Sequence, residues 1–162
     1  MVLHYIQSVI AYFQQNPMHL LMVLFLVNKF VQSKKPFPEC GGRVVGVHAT
    51  KEFDDALAAA TKKGDLLICD FFATWCPPCK TAAPIFGKLS EEWEGCDFVK
   101  VNVDECRELS QREAVQAMPT FKIYKEGKCA NTVQGFNQRA IVEQLALLGA
   151  RPAAAAGAAK SD

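Results

Sequence analysis

Two residues, both proline, separate Cys76 from Cys79 in FFATWCPPCK (71–80), behind Trp75. Such a pair can run dithiol-disulfide chemistry, supply half of a zinc site, or be two buried thiols. Zinc would need two more ligands, yet no second pair of this kind exists and the three histidines, 4, 19 and 48, lie outside any cluster spacing. No metal site is therefore expected, and redox chemistry is the strongest reading. LLICDFF (66–72) is a continuous apolar run, the pattern of a strand buried on both faces, and a helix is expected from about Pro77 to Trp93. Cys76 then falls at a helix N-terminus, where amide N–H groups and the helix dipole favour a thiolate. The two prolines are pre-set for a first helical turn. Cys79, inside the helix and less exposed, suits a resolving thiol: Cys76 attacks a disulfide, and Cys79 releases the mixed disulfide. Asp70, six residues before Cys76 in the apolar run, is the candidate base for Cys79, because desolvation should raise its pKa toward neutrality.

The elements that must hold these residues follow from the pattern between Arg43 and Gly149. RVVGVH (43–48) reads as a strand, followed by a helix capped by Thr50 and stopped at Gly64. After the strand and helix around the cysteine pair come a strand FVKVNV (98–103) and a helix from about Glu105 to Val115 capped by Asp104. TFKIYK and KCANTVQ form a hairpin turning at Glu126-Gly127, and a last helix runs from Gln138 to Leu148 between Asn137 and Gly149. The order βαβαβα then ββα predicts an α/β domain with a parallel core and an antiparallel edge. Pro84 reads as a kink in its helix.

The chain of 162 residues suffices for one such domain with additions at both ends. Residues 1–33 form an apolar helical segment without Asp or Glu, a candidate membrane anchor through residues 2–31. VLHYIQSVIAYF has helical amphipathic spacing and ends at Asn16-Pro17. The apolar run 18–31 is shorter than the roughly 20 residues of a usual span, and Lys29, Lys34 and Lys35 flank its C-terminal side. By the positive-inside rule this leaves the domain in the cytosol, with a soluble cytoplasmic protein or an organelle lumen as alternatives. Residues 34–42 read as a Pro- and Gly-bearing linker, 43–149 as the folded domain and 150–162 as a disordered Ala-rich tail. A net charge of +1 without a basic, aromatic-interleaved run sets nucleic acid aside as a partner. Seven cysteines, an odd number with one close pair, fit a reducing compartment better than a disulfide scaffold.

Asp70, Trp75, Cys76, Cys79, Lys80, Pro84, Lys100, Asp104, Met118-Pro119-Thr120, Gly127 and Gly135 together, over roughly residues 44–149, resemble the thioredoxin family in order and spacing. The resemblance implies a thioredoxin fold, a central mixed sheet flanked by helices, here preceded by one or two hydrophobic helices. It implies a protein-disulfide reductase with no cofactor, which acts on disulfide-containing client proteins and draws electrons from thioredoxin reductase or another thiol donor. Cys76 matches the nucleophile, Cys79 the resolving thiol, Asp70 the buried acid and Lys100 its lysine partner. Pro119 matches a proline preceded by a cis bond, and Trp75, Met118, Pro119 and Gly135 match the substrate-docking surface. Taken singly, Pro119 could be a turn proline, Asp70 and Lys100 a salt bridge, and Trp75 a core aromatic. The alternative function is a membrane-tethered adaptor in which the redox pair is incidental. Pro-Pro replaces the family's more usual Gly-Pro, as in tryparedoxin-like proteins and bacterial membrane-tethered thiol reductases. Those reductases carry an insertion before the cis-proline, whereas 43 positions separate Cys76 from Pro119 here. Among the other cysteines, Cys69 is expected in the core, Cys106 as a partly exposed bystander, and Cys40, Cys96 and Cys129 in linker or turns.

Overall fold

The computed structural model describes residues 2–34 and 36–153, divided into two compact units, Met1–Pro36 and Phe37–Asp162. In the first unit, helix α1 (Val2–Gln15) and helix α2 (Pro17–Lys34) meet at a bend of 105°. Proline supplies no N–H and disfavours helical backbone in the residue before it, so the break falls at Asn16. Asn16 closes α1 by donating through its backbone N–H and its Nδ2 to the Tyr12 carbonyl, both at 3.0 Å. Its own carbonyl accepts from His19 at the start of α2, and a Tyr12 Oη–His19 Nδ1 bond of 2.9 Å spans the bend. Tyr5, Ile6, Ile10 and Tyr12 on α1, and Leu21, Leu24, Phe25 and Val27 on α2, are exposed.

The second unit is built on a five-stranded sheet. Its strands are β1 (Val45–Val47), β2 (Leu66–Phe72), β4 (Cys96–Asn102), β5 (Thr120–Lys125) and β6 (Lys128–Gln134), in the spatial order β1-β4-β2-β5-β6. The first three are parallel, while β5 runs antiparallel to β2 and β6 antiparallel to β5. All seven residues of β2 are buried, as its unbroken apolar run predicts for a central strand. Because successive side chains alternate between faces, Leu66 and Ile68 pack with Ala82, Phe86 and Leu89 of α4 (Pro77–Glu92) and with Ile141 and Leu145 of α6 (Gln138–Leu148). Leu67, Cys69 and Phe71 pack on the opposite face with Phe53 and Ala60 of α3 (Thr50–Lys63) and Leu109 of α5 (Arg107–Arg112). The expected mixed sheet between two helical layers is the fold.

Several local expectations are corrected. Thr50 does not cap α3; the helix starts after Ala49, and Glu52 reaches back to accept the His48 backbone N–H at 2.8 Å. Asp104 does not cap α5, which is shorter than predicted and starts after Cys106. Trp93 and Glu94 form a short strand, β3, paired antiparallel with β7 (Arg151–Pro152), so the tail assigned to 150–162 is ordered at its start, with Ala150 buried. The rest of that tail, 154–162, lies outside the described residues. Cys96 is buried in β4 and Cys129 lies in β6, so neither is in a linker or turn; Cys40 lies in the segment between α2 and β1, as expected, but is buried there because that segment packs on the domain. Cys106 is buried rather than partly exposed, its thiol turned to the Val47 carbonyl.

Candidate active site

The C-terminal end of β2 runs through Ala73, Thr74 and Trp75 into Cys76, the N-cap of α4. Pro77 and Pro78 occupy the first helical positions, where their missing N–H groups leave no intrahelical bond unmade. Cys76 and Cys79 are joined by a disulfide, with their Cα atoms 5.3 Å apart. The Cys76 sulfur also accepts the backbone N–H of Cys79 at 3.3 Å, which is the position of a capping oxygen. A negative charge on that sulfur would meet an amide hydrogen and the positive end of the α4 dipole, the two effects that lower a thiol pKa. Cys79 is fully buried, Cys76 nearly so, and both belong to a small apolar cluster with Phe72 and Ala73 against which Phe37, Val103 and Met118 pack.

Asp70 lies two residues before Phe72 and two after Ile68, hence on the face of β2 that α4 covers. Its side chain is completely buried, and neither carboxylate oxygen has a hydrogen-bond partner. Burial raises its pKa from 3.8 to about 7, and the charge of Lys100 opposes that rise. Lys100 stands directly across the parallel β2–β4 pair from Asp70. Its Nζ lies 5.9 Å from the centre of the Phe72 ring. From the other side, β5 places Phe121 opposite Asp70.

The remaining predicted residues gather around the cysteine pair. The Met118–Pro119 bond is cis, Pro119 is buried, and half-buried Met118 packs against the cysteine cluster. The Pro119 carbonyl accepts the Gly135 N–H at 2.8 Å, which brings the segment after β6 alongside. Trp75 is 52% exposed, so it is no core aromatic, and its indole N–H donates to Asp104 Oδ2 at 2.8 Å. By residue type Asp104 reads as a helix cap, and only its position in the family pattern signals a place at the site. Cys40 and Phe37 also come close to this site, although nothing in their sequence surroundings marks them. Among the described residues, no cluster of His, Cys, Asp and Glu is arranged to hold a metal ion.

The thioredoxin family model matches residues 44–146. A thioredoxin from Echinococcus granulosus is 47% identical over 89 residues, covering 55% of this chain and 83% of that protein. Thioredoxin H3 of Arabidopsis thaliana is 39% identical over 104 residues, covering 64% of this chain and 88% of its own length. The crystal structure of a thioredoxin from Nicotiana alata superposes with a TM-score of 0.63 at 33% identity, covering 66% of this chain and 93% of that one. These matches give the adaptor reading no support. The chain belongs to the thioredoxin family of protein dithiol-disulfide oxidoreductases.

Proposed function

We propose that Cys76 and Cys79 are the redox pair through which this protein reduces client disulfides, Cys76 being the nucleophile. The observation that carries this reading is the Cys76–Cys79 disulfide at the N-terminus of α4, with the Cys76 sulfur receiving an amide N–H. In the dithiol form the Cys76 thiolate attacks one client sulfur, and the other leaves and takes up a proton. The Cys79 thiolate then attacks the Cys76 sulfur, so the client departs as a dithiol and the Cys76–Cys79 disulfide is formed. Two electrons pass to the client and are restored by a reductase or another thiol donor. Asp70, raised to about 7, is poised to accept the Cys79 proton near neutral pH. Lys100 supplies the positive charge that lets the carboxylate exist in a dry site. Trp75, Met118, Pro119 and Gly135 form the surface on which an extended client segment docks.

Cys76→Ser is expected to abolish insulin-disulfide reduction, and full activity in that variant refutes the assignment. Cys79→Ser is expected to accumulate dithiothreitol-sensitive mixed disulfides with clients. If no such adducts form, the resolving role is wrong.

The N-terminal unit supports a proposal about location. Among the described residues no single helix is long and apolar enough to cross a membrane, but α1 and α2 together form one bent apolar pair. Exposed apolar side chains, no acidic residue and lysines at the C-terminal side suit binding to a membrane, with the thioredoxin unit in the cytosol. Sedimentation of the full chain with anionic lipid vesicles is the expected result. Its recovery wholly in the supernatant would leave a soluble protein of cytoplasm or organelle lumen.

A further inference from the structure

The family match begins at residue 44, yet Phe37–Gly42 already packs on the domain. This strap crosses α4 at Gly87, where a Cβ would lie 1.7 Å from the Cys40 carbonyl oxygen, and returns at Gly42, where a Cβ would lie 2.2 Å from the Gly87 carbonyl oxygen. Two backbones approach this closely only because both positions lack a side chain. Upstream of the crossing, the Phe37 ring packs on Phe72 with centroids 4.5 Å apart. Cys40 is 7% exposed, and its thiol lies within reach of the charges of both Lys100 and Asp70. A 180 Å³ cleft beside Lys100 is walled by Phe37, Pro38 and Glu39 on the strap side and by His48 and Glu105 on the other.

We propose that the strap Phe37–Gly42 is a cover for the reaction's base, and that Cys40, buried within it, is a positioning residue which keeps water away from Asp70 and from the neighbouring Lys100. The functional consequence rests on Asp70 serving Cys79. Asp70 has no hydrogen bond of its own, so two variables set its proton affinity: the water admitted to it and the distance of the Lys100 charge. The strap bears on both. The groups facing Asp70 are Lys100 from β4, Cys40 from the strap, apolar Phe121 from β5, and the cysteine pair at the start of α4 on the same sheet face; exposed Glu39 acts on Cys40. Desolvation is the larger influence on Asp70, so opening the strap lowers its proton affinity.

The test is the Asp70 carboxyl titration followed by carbon NMR in the oxidised full chain, for wild type, Gly87→Ala and Cys40→Ala. Gly87→Ala pushes the strap off α4, and its midpoint is expected to fall by about one pH unit or more toward an ordinary carboxylate. Cys40→Ala is expected to move the midpoint in the same direction by less. Folded variants that both titrate like wild type overturn the proposal. If Gly87→Ala does not fold, an unchanged midpoint in Cys40→Ala alone overturns it. Asp70→Asn separates this claim from the one beneath it. If that variant resolves mixed disulfides as fast as wild type, Asp70 is not the base, while the titrations still decide whether the strap keeps it dry.

Discussion

Replacing Asp70 with Asn should make the protein more stable in mild alkali and change little in acid. The side chain keeps its shape and remains a neutral polar group in the same dry site, so the comparison isolates the charge. In the folded protein the Asp70 pKa is raised from 3.8 to about 7, chiefly by burial. Between those values the unfolded chain has lost the proton and the native chain still holds it, so native stability falls as pH rises. Below the lower value both states are protonated and the stability is fully present. Above the higher one both are ionised and the loss is complete. A shift of about three units, at about 1.4 kcal/mol each, makes the full loss about 4 kcal/mol. That is a large part of the stability of a domain this size. Urea unfolding at pH 4 and at pH 8.5 measures the difference directly. The expected result is near-equal midpoints at pH 4 and a clearly higher midpoint for Asp70→Asn at pH 8.5. A difference independent of pH, or a more stable wild type at pH 8.5, refutes the argument that burial of this carboxylate dominates.

Asp104→Asn replaces a charged acceptor of the Trp75 indole N–H with a neutral one and is expected to weaken that bond by about 1 kcal/mol. The loosened indole should appear as changed tryptophan fluorescence and a raised KM for a protein client, with kcat nearly kept. Arg43→Ala removes the guanidinium that donates to the Ser90 and Trp93 carbonyls, at 2.7 Å each, at the C-terminal end of α4. Loss of these charge-assisted bonds is expected to destabilise the domain by about 1 to 3 kcal/mol in urea unfolding, with activity retained in the folded fraction.

Elements whose signals are local are legible in the amino-acid sequence alone. β2 is recognisable because seven residues buried on both faces leave no room for a polar alternation, and the observed strand, Leu66–Phe72, coincides with the run. Gly64 and Gly149 adopt left-handed backbone at the ends of α3 and α6, a conformation glycine takes without steric cost. Asn137 caps α6 through a 3.1 Å bond from the Ala140 N–H, as an Asn before a helix should. The misread caps are suitable by residue type alone: Thr50 lies one residue inside its helix, behind Ala49, and Trp75, far away in sequence, takes the Asp104 carboxylate. The β3–β7 ribbon gives no such signal, because two-residue strands have no periodicity to read.

The site divides along the same line. Cys76 and Cys79 are three residues apart, so a single helical turn presents them together, and the spacing alone discloses the chemistry. Asp70 is local too, since its apolar neighbours in β2 announce that it will be dry. What sets the strength of the base is not local. Lys100 reaches Asp70 because parallel pairing of β2 with β4 puts residues 70 and 100 in register, and Cys40 reaches Lys100 because a strap crosses α4 where Gly87 has no side chain. Neither contact leaves a mark within a window of a dozen residues. A glycine inside an otherwise ordinary helix is the one trace, since there it weakens the helix and calls for a reason outside it. Among relatives with the same cysteine pair, those that carry a side chain at the position of Gly87 cannot seat such a strap. Their buried acid should then titrate lower than Asp70 where water reaches it, and comparing that titration with the wild-type value asks whether the strap tunes the base in this chain.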